Sequence, residues 1–92
     1  MKQLFIITLD PNGNSFLLRE KIKELGDYYN IYNNQYIVCA DYEDAQQLYE
    51  KLVPKGFPLT GIVVFSIPVN HIKYWGYSNK GLWEWLKNHI HS

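Results

Sequence analysis

The sequence predicts a single α+β domain in the order strand, helix, strand, strand, helix, strand, followed by an arm and a further helix. Three observations carry this. Apolar residues fall into short runs of β-formers separated by stretches of helical spacing. Clusters of turn formers stand at the joins. And 92 residues are enough for one core and too few for two.

The first run, Gln3 to Asp10, contains Leu4, Phe5, Ile6, Ile7 and Leu9 almost without interruption. An apolar run with no alternation suits a strand buried on both faces, hence a central one. Asp10-Pro11-Asn12-Gly13 ends it and leaves one carboxylate at the rim of the sheet. From Phe16 the spacing turns helical, with Leu18, Ile22 and Leu25 on one stripe. Asn14 or Ser15 is the expected N-cap, and Gly26 the C′ residue in a left-handed conformation.

Asp27 to Ala40 reads as a hairpin: Tyr28, Tyr29, Ile31 and Tyr32 on one arm, Tyr36 to Cys39 on the other. Asn33-Asn34, with or without Gln35, makes the turn, Asn tolerating the positive φ that tight hairpins favour. Asp41 is the expected cap of the next helix, with Glu43 and Asp44 at the positive end of its dipole. Ala45, Leu48 and Leu52 line that helix, Pro54 ends it, and Lys55 to Gly61 forms a loop. Gly61 to Ile67 is the last strong strand; Ile62 to Phe65 is again apolar without alternation, so this strand too is expected to be covered on at least part of both faces, with Pro68 at its end or edge. Val69 to Tyr77 fits a short strand, an irregular arm or a piece lying on a partner. Ser78 then caps a last helix striped by Leu82, Leu86 and neighbouring aromatics.

Two split crossovers around a hairpin predict a ferredoxin-like βαββαβ sandwich, with the first and third strands in the middle and both crossover helices on one face. The last helix belongs at an end of the sheet or on its open face. Aromatic residues make up 16% of the chain, eight of them Tyr. So many rings on a small domain point to a homodimer through the sheet, the arm or both. Tyr28, Tyr36, Trp75 and Trp83 are the expected interface residues.

Nine basic and nine acidic residues cancel, which argues against a dedicated binder of phosphate backbones. Arg19 is the sole arginine, so a multi-arginine phosphate clamp is excluded. An RNA platform would need Tyr36 to stack on bases, but the third strand lacks the basic and glycine residues of the RNA-recognition module. Cys39 is the sole cysteine, so there is no intrachain disulfide, and its apolar neighbours make it a core thiol. His89 and His91 suit a helix C-terminus better than a metal pair. No apolar run spans a membrane and no leader is evident, so the cytoplasm is the default location.

Ile6-Ile7-Thr8-Leu9-Asp10, the stretch Leu25 to Val38 and the closing Trp75-Gly76-Tyr77 with Leu82-Trp83-Glu84-Trp85-Leu86-Lys87 together resemble the small bacterial proteins labelled SinR-like. Those are similar in fold to the CRISPR-associated adaptation nucleases of the second Cas family and to the virulence-associated protein D toxins. The resemblance implies an aspartate at the end of the first strand as signature residue, here Asp10. One such carboxylate per subunit of a dimer would hold a divalent cation such as Mg²⁺, which keeps part of its water shell and activates a water against a phosphodiester. The residues themselves favour Asp10 as a turn former over Asp10 as a catalytic or metal-binding group. The leading expectation is therefore a dimer-forming association, regulatory or defence component without catalysis. The alternative is a metal-dependent endonuclease using Asp10, with Asn12 or Ser15 assisting.

Overall fold

A computed structural model of the chain describes residues 2–13, 15–55, 61–68 and 74–90. Its elements are β1 (Gln3–Leu9), α1 (Phe16–Ile22), β2 (Asp27–Tyr32), β3 (Gln35–Ala40), α2 (Ala45–Leu52), β4 (Ile62–Ile67) and α3 (Lys80–His89). The strands form one antiparallel sheet in the order β2-β3-β1-β4. No helix among the described residues is long and apolar enough to cross a membrane.

β1 lies inside the sheet because its side chains are apolar on both faces. Phe5, Ile7 and Leu9 face α1 and α2, where they meet Leu18, Ile22, Leu48 and Leu52. Leu4 faces the other way, onto Leu82 and Leu86 of α3, beside Ile37 and Cys39 of β3. The sheet is thus the middle of three layers, and α3 takes the second face, one of the two places the sequence allowed it. Each fully buried Leu, Ile or Phe stabilises the fold by about 1.5–3 kcal/mol, and β1 supplies four of them.

Local chemistry departs from expectation at several joins. Helix α1 ends at Ile22, and a tighter turn follows in which Glu24 and Leu25 donate to Lys21 O and Ile22 O. Gly26 is not left-handed, since Gly76 alone has positive φ among the described residues. Its need is steric: a Cβ at Gly26 would stand 2.5 Å from Cys39 O. The Asn33-Asn34 turn also keeps negative φ, so it is not the mirror-image type. A register shift between Asn30 and Tyr32 takes up the strand twist instead, and Asn30 Nδ2 bridges Tyr32 O and Gln35 O.

The helix caps shift as well. Asp44, not Asp41, caps α2, accepting from Gln47 N at 2.8 Å. Asn79, not Ser78, caps α3, accepting from Gly81 N at 2.7 Å. In both cases the true cap stands immediately before the first residue of the helix, where its oxygen reaches the free N–H groups.

β4 is covered on part of each face. It is an edge strand among the described residues, with Ile62 and Val64 packed on the α1/α2 side and Ile67, at its end, on the α3 side. Val63 and Phe65 are 52% and 58% exposed. Helix α3 packs with β2, β3, the start of β1 and Ile67 at the end of β4, and Val63 and Phe65 lie outside that cluster. The loop expected at 55–61 falls largely, and the ambiguous stretch at 69–77 partly, outside the described residues.

Candidate functional site

Asp10 sits where β1 stops. Its N–H donates to Gly61 O (2.8 Å), its carbonyl accepts from Gly13 N (3.1 Å) and its Oδ1 accepts from Asn12 N (2.9 Å). Gly61 comes so close that a Cβ there would lie 2.7 Å from Asp10 Cβ. The carboxylate is therefore an exposed turn group held at the rim, beside the start of β4.

Of the two residues expected to assist it, Asn12 stays in the turn with its main-chain N–H on Asp10 Oδ1, and Ser15 is engaged elsewhere. Ser15 is buried, and its Oγ accepts from Arg19 Nε at 3.0 Å. Arg19 reaches further, donating through Nη1 to Asn33 O and to Tyr36 Oη at 3.3 Å. Asn34 closes the rim, donating through Nδ2 to Leu9 O (3.1 Å) and accepting from Leu9 N (2.8 Å) at its carbonyl. This network joins α1, the hairpin turn and the end of β1, and it spends the one arginine on main-chain and phenol oxygens. Among the described residues no group of three His, Cys, Asp or Glu side chains is disposed to hold a metal ion.

The second cluster was not foreseen. His89 Nε2 stands 2.5 Å from Asp27 Oδ2, and His89 Nδ1 stands 2.7 Å from Trp85 O. The imidazole stacks on the Trp85 ring at 3.9 Å. Hydrogen bonding from His89 holds the Asp27 carboxyl below its ordinary range against a smaller opposing effect of burial. Trp85 Nε1 is buried without a closed hydrogen bond, and it still favours the ionised carboxylate. Cys39 is the cross-strand partner of Asp27, which brings a thiol, an imidazole and a carboxylate together. They are not a nucleophilic triad. Both imidazole nitrogens are already engaged, and burial pushes the Cys39 thiol up. The sequence signal for this cluster was only the i, i+4 spacing of Trp85 and His89.

Comparison with protein-family models, curated proteins and solved structures gave no match. The site is therefore judged on geometry.

The aromatic residues divide into two groups. Tyr36 is 3% exposed, on the helix side of the sheet, with its ring 6.2 Å from that of half-buried Tyr28. That position offers no ring for base stacking, because α1 and α2 lie over it. Trp83 is half-buried and stacks on Tyr74 at 5.7 Å, while Trp75 and Tyr77 are fully exposed. Tyr74, Trp75, Gly76 and Trp83 line a notch of about 250 Å³. Gly76 at φ +159° takes a backbone conformation that side-chain-bearing residues rarely adopt.

Trp85 and His89 occupy the flank of α3 that faces Asp27 of β2, and Gly81 abuts Tyr29 of the same strand. Trp83 projects from the opposite flank of the helix, where Tyr74 stacks on it. Val63 and Phe65 lie on the face of the sheet that α3 packs against.

Proposed function

We propose that this chain acts by association, as a homodimer-forming protein of the ferredoxin-like class without chemistry of its own. The observation that carries the reading is the exposure of Val63 and Phe65 side by side on β4, with Trp75 and Tyr77 also exposed, since contiguous exposed apolar surface marks an interaction site. Read from β4 inward, the sheet order β4-β1-β3-β2 supports the ferredoxin-like assignment. A regulatory or defence role rests on the resemblance alone. Sedimentation equilibrium at micromolar concentration tests the association: a dimer mass is expected, and a monodisperse monomer overturns it.

The second reading, a Mg²⁺-dependent endonuclease with one Asp10 from each subunit, draws on the exposed position of Asp10 at the end of β1. Incubation with RNA and DNA in Mg²⁺ or Mn²⁺ separates the two readings. Under the association reading no cleavage occurs; metal-dependent cleavage lost in Asp10→Ala establishes the nuclease instead.

A further inference from the structure

We infer that the second copy docks edge to edge on β4, antiparallel about a two-fold axis, and that this joins two sheets into one of eight strands. The inference rests on the association reading and deepens it by naming the surface. Among the described residues β4 is the last strand of the sheet. Its sequence, Ile62-Val63-Val64-Phe65-Ser66-Ile67, holds no charge and no proline, and its ladder with β1 has no bulge. Natural edges are normally guarded by such features. The opposite edge is guarded: β2 carries a register shift, Asp27 and Asn30.

The main-chain geometry is self-complementary. Because Asp10 N–H donates to Gly61 O, the one-to-one register turns the main-chain groups of Val63, Phe65 and Ile67 towards β1. Those of Ile62, Val64 and Ser66 point outward. A two-fold axis at Val64 lets these three exchange hydrogen bonds with the same three of a second copy. It also sets Val63 opposite the partner's Phe65, a β-branched residue against an aromatic on the exposed face. Val63 and Phe65, each more than half exposed, supply apolar surface on the open face of that edge. A net charge of zero removes any long-range repulsion between copies.

This arrangement decides the fate of Asp10. Three strand spacings of ~4.8 Å and about six residues of ~3.4 Å separate the two carboxylates, a distance of ~25 Å. Such a dimer cannot share a metal ion between its Asp10 residues.

Light scattering on the full chain with Ser66→Pro, which removes an outward N–H, and Val63→Lys, which sets a charge on the edge, tests the inference. Each variant is expected to weaken self-association at least about tenfold with an unchanged far-UV circular dichroism spectrum. If Ser66→Pro misfolds, Val63→Lys, on an exposed side chain, decides alone. A dimer that survives a folded variant but dissociates in Trp75→Ala/Tyr77→Ala overturns edge pairing and leaves the association reading standing. A wild-type monomer overturns both. Spin labels at Asp10→Cys in a Cys39→Ala background are expected to report a separation near ~25 Å, and labels in near contact overturn the inference.

Discussion

His89 Nε2 lies 2.5 Å from Asp27 Oδ2, tying the last turn of α3 to the first residue of β2 across 62 positions of sequence. This contact closes the third layer. Leu82 and Leu86 supply the apolar attachment, and the imidazole, stacked on Trp85, fixes how the end of the helix sits over the sheet.

The contact makes α3 sensitive to acid. The Asp27 carboxyl titrates below its ordinary value of 3.8, chiefly through the His89 hydrogen bond. A carboxylate whose folded pKa is depressed contributes stability that is present above its unfolded pKa and is lost as the pH falls through the folded one. The Asp27 side chain is 61% exposed, so screening holds its contribution to about 1 kcal/mol or less. Asp27→Asn is expected to lower the melting temperature at neutral pH by no more than about 4–8 °C. The gap from wild type should close as the pH drops well below 3.8. A gap that persists in strong acid would show that the carboxylate charge is not its source.

Cys39 reports on the same layer. It is buried under α3, and burial raises its thiol pKa above the ordinary 9.0. Leu86→Ala is expected to cost about 2–5 kcal/mol and to speed modification of Cys39 by a thiol reagent as α3 loosens. Lowered stability with an unchanged modification rate would mean that α3 does not protect the thiol.

Arg19 is expected to matter for the hairpin rather than for a ligand. Arg19→Ala leaves Ser15 Oγ, Asn33 O and Tyr36 Oη without their donor and should cost about 1.5–3 kcal/mol. Amide exchange at Asn33 to Gln35 should accelerate. Arg19→Lys keeps the charge but not the planar fork, so it should restore little. Full recovery with lysine would assign the effect to charge alone.

Gly26 distinguishes two reasons for a glycine. Its φ is not left-handed, and a Cβ would strike Cys39 O. Gly26→Ala and Gly26→Asn are therefore both expected to destabilise, by about 1–3 kcal/mol. A left-handed cap would tolerate asparagine, so a stable Gly26→Asn would reverse the explanation.

Much of this fold is written locally. Composition and the spacing of apolar residues determined the α+β class, the number and order of the strands and crossover helices, and the interior position of β1, because a strand of Leu, Phe and Ile on both faces has to be covered on both. They also marked Asp10 as a rim residue and Cys39 as a core thiol. Tertiary structure alone decided the rest. Val63 and Phe65 look like the residues of β1 in sequence, yet they lie open because β4 ends the sheet among the described residues and the α3 cluster takes in only Ile67 of that strand. Tyr36 looks like a surface ring and is core, because its strand parity turns it towards α1 and α2. Asp27 and His89 have no local signal for each other, since their contact exists only once α3 crosses the sheet. Periodicity tells which side chains share a face; which face another element covers depends on packing between segments far apart in the chain.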